Sequence, residues 1–151
     1  EYGKFSETNL RDVPVEVFRK FGDRLPENWR KRAEHWFGEY ARVEKGAEAW
    51  RNGDIEAFGQ LSFESGRSSI EKWETGSPEL KKIYEIMTRT DGIYGGRFSG
   101  AGFKGCCMAL IDPSFKEEIF KKIETEYLAK FPDLRGHYSA CICHSADGVK
   151  I

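Results

Sequence analysis

The sequence predicts an α+β domain in which helices pack on one face of a small antiparallel or mixed sheet. Three observations predict it. The first half carries apolar residues at helical spacing, a glycine-rich segment separates two short strand-type runs, and a last helical stripe precedes a third strand-type run. The 151 residues suit one domain. A ferredoxin-like split arrangement is the simplest topology for this order.

The N-terminal part is predicted as a connecting segment, residues 1–25, with one short helix over Val15–Phe21. The domain proper is predicted over 26–151 and begins with a long helix after Pro26. The apolar residues of this helix recur at alternating steps of four and three, which is typical of an amphipathic helix. We expect this stripe to lie in the core: Trp29, Ala33, Trp36, Tyr40, Val43, Ala47 and Trp50.

The following elements are predicted from capping and turn signals. Gly53 suits the end of the long helix and Asp54 the N-cap of the next. Ser77 and Pro78 are a strong helix start. In chain order we expect a helix over 55–67, a polar inter-helix patch over 65–69, a helix from Pro78, a strand over 93–98, a strand over 106–112, a helix opened by a Ser114–Glu117 capping box, and a strand over 138–144.

Composition excludes several classes of protein. The net charge is −1, from 24 basic and 25 acidic residues, so nothing favours nucleic acid. No apolar run approaches the ~18 residues of a membrane span, and no secretory signal pattern precedes the domain. The chain begins at Glu1, which suggests a processed chain or a fragment. We therefore expect neither a nucleic-acid partner nor a membrane.

The cysteines indicate a reducing compartment. There are four: Cys106, Cys107, Cys141 and Cys143. Neither pair has the spacing of a structural zinc site, so we predict no metal and interpret all four as thiols in buried strands. With no secretory context, the expected location is the cytoplasm.

The most informative segment is GIYGGRFSGAGFKGCC, which runs from Gly92 to Cys107 and contains six glycines. Glycine is used where the backbone takes positive φ or approaches another group closely. Successive backbone N–H groups can form a concavity that binds anions. A hairpin turn with a bulge is the simpler interpretation of such a cluster, and the residues alone leave both open.

Residues 92–106 resemble the third motif of the galactokinase branch of the GHMP sugar kinases, which typically reads GVYGSRMTGGGFGGC. Four further segments resemble that branch in the same order, and the resemblance runs from about Leu10 to the end of the chain. They are RAxHxxxExxR at Arg32–Arg42, GDxxxFGxL at Gly53–Leu61, ESHxSL at Glu64–Ser69 and CPELD at Ser77–Lys81.

The resemblance implies the C-terminal half of an enzyme that transfers the γ-phosphate of ATP to the anomeric hydroxyl of a monosaccharide, with Mg²⁺. The family's active site lies between two halves, and the sugar-recognition and phosphate-loop motifs of the first half are absent from this chain. It follows that the partners are the sugar, MgATP and the protein's own N-terminal half. ATP and Mg²⁺ are expected mainly on that half, with no catalytic residue here and no activity of this chain alone.

The resemblance also implies which residues approach the phosphates or the sugar: Gly96, Ser99, Gly100, Ala101 and Gly102. Backbone N–H groups of such a loop stabilise charge without side chains blocking the approach. The alternative is that the loop only buttresses the missing phosphate loop.

Departures from the family pattern point away from ordinary galactokinases and towards plant galacturonokinases. Gly66 replaces a histidine, and Lys104 replaces a glycine of the loop. A cation near the cleft would favour an acidic sugar, although a solvated lysine on a loop is the favoured interpretation of Lys104. Arg97 could meet a phosphate or carboxylate bidentately, or pair internally with Glu39 or Glu79.

Other residues and functions complete the expectations. A row on the long helix is interpreted mainly as structural hydrogen bonds and ion pairs, with His35 as a general base the less favoured alternative: Arg32, His35, Glu39 and Arg42. A non-catalytic galactokinase-like sugar sensor acting through protein partners is the second function. An unrelated ferredoxin-like binding module is the third.

Overall fold

The computed structural model describes residues 9–144. Within this range the chain forms five α-helices and one two-stranded sheet, so the predicted α+β class is confirmed. The elements are α1 (Val15–Phe21), α2 (Glu27–Arg51), α3 (Ile55–Glu71), α4 (Pro78–Met87), β1 (Ile93–Phe98), β2 (Cys107–Ile111) and α5 (Lys116–Lys130). None of these helices is both long and apolar enough to cross a lipid bilayer.

Most helix boundaries follow the predicted capping signals. Gly53 has a φ of +70° at the end of α2, and the Asp54 carboxylate accepts a 2.9 Å hydrogen bond from the Ala57 N–H. The Ser77 hydroxyl accepts one from the Leu80 N–H at 3.3 Å, with Pro78 as the first residue of α4. These signals could be read from sequence because a cap bonds to its own helix.

Two predicted boundaries are wrong. α3 continues to Glu71, so the 65–69 patch lies within the helix and faces its neighbours instead of linking two helices. Ser114 does not open α5 through a capping box. Asp112 caps a short 3₁₀ turn by accepting from the Ser114 N–H at 2.8 Å, and α5 starts at Lys116. A carboxylate followed by proline is a sufficient N-cap, and it precedes the predicted one.

The sheet is an antiparallel pair whose register runs from Ile93 opposite Ile111 to Phe98 opposite Cys107. α3 packs on β1 at a point where two glycine backbones meet. A Cβ at Gly59 would overlap the Tyr94 carbonyl, and one at Gly95 would overlap Gly59. The main core lies beneath this contact and contains Phe63, Tyr84, Met87, Ile93 and Ile119.

The predicted core stripe of α2 is not in the core. Ala33 is buried, but Trp29 is 67% exposed, Val43 70% and Trp50 58%. The side of α2 that faces α3 is polar and small instead, with His35 bonded to Ser68 and Gly46 against Phe58. Helical spacing located the helix correctly, but the tertiary contacts decided which face is covered.

The predicted last strand is also wrong, and so is the burial of three cysteines. Residues 138–144 form neither strand nor helix in the structure. Tyr138 packs against Tyr127 with ring centroids 5.6 Å apart, and the rest of this segment is exposed. Strand-type residues form a strand only where a partner strand is available. Cys106, Cys141 and Cys143 are exposed, and Cys107 is half-buried.

Residues 1–8 and 145–151 lie outside the described part of the chain, and with them the start of the predicted connecting segment and the end of the predicted domain. Residues 15–21 of that segment form α1 as predicted, and α1 is attached to α2 by stacking of Phe18 on Phe37, with ring centroids 4.8 Å apart.

Candidate phosphate and sugar site

The glycine-rich loop, residues 99–106, connects β1 to β2 as a hairpin. The Ser99 N–H donates to the Cys106 carbonyl at 2.9 Å and closes the base of the loop. Gly100, Gly102 and Gly105 have φ angles of +65°, +78° and +114°. L side chains rarely adopt these angles, so the glycines make this tight turn possible.

The tip of the loop exposes the backbone of Gly100 and Ala101, whereas Gly102 is buried. None of the backbone hydrogen bonds between described residues uses the N–H group of Gly100, Ala101 or Gly102. A Cβ placed on Gly100 would meet no atom within 4 Å, and Ala101 is exposed. Consecutive free N–H groups at an open turn are a geometry that can bind an anion.

The base of the loop is held firmly. The Gly102 carbonyl accepts a 2.6 Å hydrogen bond from the Ser77 N–H, at the start of α4. Gly102 also lies against the buried Phe98 ring, where a Cβ would come within 2.5 Å of the ring. The hairpin interpretation and the binding interpretation are therefore compatible, because an anchored base supports an open tip.

Two other predicted site residues occupy different surroundings. Gly96 is buried within the sheet, where a Cβ would lie 2.8 Å from the Met108 carbonyl oxygen. It supports the hairpin and does not reach the open tip. Lys104 is exposed on the loop, next to Phe103, which is 65% exposed.

Arg97 adopts the second of its two predicted arrangements. Its Nη1 donates to Ser65 Oγ at 2.5 Å and to Glu39 Oε2 at 3.3 Å. The Ser65 hydroxyl in turn donates to Glu39 Oε2 at 2.8 Å. The guanidinium is thereby committed to an internal network that joins β1, α3 and α2.

Glu39 is the acceptor at the centre of this network. Its burial alone would raise the pKa, but hydrogen bonds from Ser65 and Arg42, with the charges of Arg42 and Arg97, outweigh burial and lower the pKa of Glu39. Arg42 contributes a 2.8 Å bond from Nε. The predicted structural row on α2 therefore consists of ion pairs and hydrogen bonds to α3 and β1.

His35 belongs to the same face of α2. Its Nδ1 lies 2.9 Å from Ser68 Oγ, and its ring lies 5.3 Å from the Trp73 ring. Burial lowers the pKa of His35, with Arg42 and Arg97 adding to the effect against the opposing charge of Glu39. A neutral histidine bonded to a serine in a helix interface is a structural residue.

Sequence reasoning missed two features near the site. The segment 72–77 lies against the base of the glycine-rich loop, and its only sequence signal was Gly76, interpreted as part of a helix start. The ring of Tyr84 fills the space beside Gly66, where a Cβ would come within 2.5 Å of it. A glycine in place of the family's histidine is the signal that could have indicated a bulky neighbour.

The described residues do not form a metal site. No three His, Cys, Asp or Glu side chains between residues 9 and 144 are grouped closely enough to hold a metal ion. Two shallow grooves of about 430 and 290 Å³ lie between α2 and α3, apart from the glycine-rich loop. The loop is therefore an open surface in this chain and not an enclosed pocket.

Comparison with known proteins identifies the family. Residues 47–130 match the family model described as GHMP kinases C terminal. The chain is 40% identical over 149 residues to a galacturonokinase of Arabidopsis thaliana and 33% identical over 143 residues to human galactokinase. These matches cover 96% and 95% of this chain but 35% of each relative. The chain thus spans about a third of the length of these curated relatives.

The fold supports the same assignment. The structure of Lactococcus lactis galactokinase complexed with galactose superposes with a TM-score of 0.76 at 28% identity. The match covers 83% of this chain and 32% of that one. This chain belongs to the GHMP kinase family and contains its C-terminal domain, with galacturonokinase and galactokinases among its relatives.

Proposed function

We propose that this chain is the C-terminal part of an ATP-dependent sugar kinase that phosphorylates the anomeric hydroxyl of galacturonic acid. The observation that carries the proposal is the anchored hairpin, whose exposed tip carries the N–H groups of Gly100 and Ala101 that take part in no backbone hydrogen bond between described residues. The similarity to a galacturonokinase, at 40% identity against 33% for human galactokinase, favours the acidic sugar over galactose.

In phosphoryl transfer, a protein contributes mainly positioning and charge stabilisation. These are the contributions that this loop would make. The N–H groups of Gly100 and Ala101 donate to phosphate or sugar oxygens, with the buried Gly102 next to them and the Ser99 side chain beside them. Gly96 acts beneath them as support. We expect ATP and Mg²⁺ to be held mainly by the rest of the protein.

The site is completed by an N-terminal half. Two observations support this: relatives are about three times longer than the chain, and the glycine-rich loop is open instead of enclosed. This chain alone is therefore expected to have no kinase activity. Its exposed free thiols at Cys106, Cys141 and Cys143 suit the reducing conditions of the cytoplasm.

The test is ADP release by the parent protein with MgATP and a sugar panel that includes galacturonate and galactose, with this chain run alongside. We expect turnover on galacturonate by the parent only. Turnover by the isolated chain above a heat-treated control would contradict the two-part site. Binding of sugar by the parent without turnover would favour the sugar sensor instead.

Lys104 is the proposed specificity residue. It is exposed on the loop, so its ammonium is free to approach a sugar carboxylate. Lys104→Gly in the parent is expected to lower the galacturonate-to-galactose ratio of kcat/KM by about tenfold, which corresponds to one favourable charge contact. Lys45→Gly, at an exposed position on α2, is the matched control. An unchanged ratio in the Lys104 variant would leave Lys104 a solvated surface residue.

A further inference from the structure

We propose that Arg32 on α2 is a positioning residue for the glycine-rich loop, acting through Glu74 and the turn formed by residues 72–77. This inference rests on the proposed function above, since it concerns how the phosphate- and sugar-proximal loop is kept in place. Three contacts in series connect the guanidinium to Gly102.

The first contact joins α2 to the turn. Arg32 Nη2 donates to Glu74 Oε2 at 2.6 Å, and its Nη1 donates to the Lys72 carbonyl. The guanidinium also lies over the Trp73 ring, 5.7 Å from its centre. One planar fork thus holds three consecutive residues of the turn, which a point charge such as lysine cannot do.

The second link is the backbone conformation of the turn itself. Glu74 has a φ of +59°, in the left-handed region that non-glycine residues rarely adopt. Its carboxylate is held there by Arg32 and by Lys31, whose Nζ lies 3.3 Å from Oε1. The buried Thr75 fixes the other side, because its N–H donates to the Ser69 carbonyl at 3.1 Å. The ion pairs therefore maintain a backbone conformation that the sequence alone disfavours.

The third contact reaches the loop. The Ser77 N–H donates to the Gly102 carbonyl at 2.6 Å. The Phe98 ring lies against both Gly76 and Gly102, where Cβ atoms would come within 3.2 and 2.5 Å of it. A shift of the turn moves Ser77, and Gly102 follows because this hydrogen bond and the ring link the two segments. The open N–H groups next to Gly102 then leave their positions.

The experiment measures steady-state kinetics of the parent protein carrying Arg32→Lys or Glu74→Gln. We expect kcat to fall by roughly tenfold, with the KM values for ATP and sugar changed by less than about threefold, because small displacements affect the reacting geometry more than binding. The Arg32–Glu74 pair is partly exposed, so loss of its charge in Glu74→Gln should keep the melting temperature within about 3 °C of the wild type. A purely structural role would instead lower the melting temperature without lowering kcat.

A control variant and a second measurement test whether the effect is specific to the turn and the loop. Arg89→Lys alters a similar exposed pair, between Arg89 and Glu126, that does not touch the turn or the loop, and kcat should be unchanged. Amide exchange at Ser77 and Ser99 reports the two hydrogen bonds that hold the loop, and we expect at least about fivefold faster exchange at both in the two variants. Unchanged kcat, or unchanged exchange at Ser99, overturns the inference. If the wild-type parent phosphorylates no sugar, the proposed function fails, and the exchange measurement still decides the positioning role.

Discussion

At the scale of single residues, Glu39 connects α2, α3 and β1 through three partners. It accepts hydrogen bonds from Ser65 and Arg42 and forms an ion pair with Arg97. The sequence indicated a structural row on α2, but the partner of Arg97 lies 58 residues away and could only be given as alternatives. The structure therefore assigns Arg97 to the interface, and Lys104 stays the proposed specificity residue.

This arrangement gives a pH dependence of stability. The pKa of Glu39 is lowered from its ordinary value of 4.5, so its contribution is complete above about pH 4.5 and is lost as pH falls through the lower folded value. Glu39→Gln is expected to lower the free energy of unfolding at pH 7 by roughly 1–3 kcal/mol. The variant should then lose less stability than the wild type between pH 6 and pH 3.

Chemical denaturation across that pH range measures the effect. Glu44→Gln, at an exposed position on the same helix, is the control and should follow the wild-type curve. If Glu39→Gln also runs parallel to the wild type at all pH values, the network does not hold Glu39 in its charged form.

Gly66 and Tyr84 explain a departure from the family pattern at the same scale. The Tyr84 hydroxyl donates to the Phe63 carbonyl at 2.6 Å, which fixes the ring against α3. A histidine at position 66 would need the space that this ring occupies. The glycine at position 66 is therefore accounted for by the packing of the Tyr84 ring.

At the scale of elements, signals within a segment were enough to predict the helices and the hairpin. Features that depend on contacts with distant segments could not be predicted in this way. Gly53, Asp54, Ser77 and Pro78 act within their own helix, so the ends of α2 and the starts of α3 and α4 were predictable. The strand predicted over 138–144 needed a neighbouring strand, which no local pattern can guarantee. The glycine-rich loop was found because positive φ angles restrict residue type directly.

The exposed stripe of α2 shows the limit of periodicity. A spacing of three and four residues predicts an amphipathic helix but not the element that covers its apolar face. In this chain α3 covers the polar side, because Ser65 and Ser68 supply hydrogen-bond partners and Gly46 allows close approach to Phe58. The turn at 72–77 was unpredictable for the same reason, since Glu74 is bonded to Arg32, which lies 42 residues away in the chain.

At the scale of the whole molecule, we expect one partner to cover both the exposed apolar stripe of α2 and the open glycine-rich loop. We define the α2 stripe as Trp29, Trp36, Tyr40, Val43 and Trp50. Trp36 and Tyr40 stack on each other, and Trp29, Tyr40, Val43 and Trp50 are more than half exposed. Apolar patches of this kind commonly mark interaction surfaces. The family's C-terminal domain is about a third of its relatives, so the proposed N-terminal half is the partner that we expect to cover the stripe.

This predicts that one pair of substitutions affects the stability of this chain and of the parent protein differently. Tyr40→Lys with Val43→Glu should leave the melting temperature of this chain within about 2 °C, because both side chains are exposed here. The pair should also reduce self-association in light scattering. In the parent protein the same pair should lower the melting temperature by several degrees, since about 1–3 kcal/mol of burial is lost for each apolar side chain. Lys121→Glu, at an exposed position on α5 and outside the stripe, is the control and should be neutral in both. Equal, small effects in chain and parent would mean that the N-terminal half leaves the stripe uncovered and meets this domain only around the glycine-rich loop.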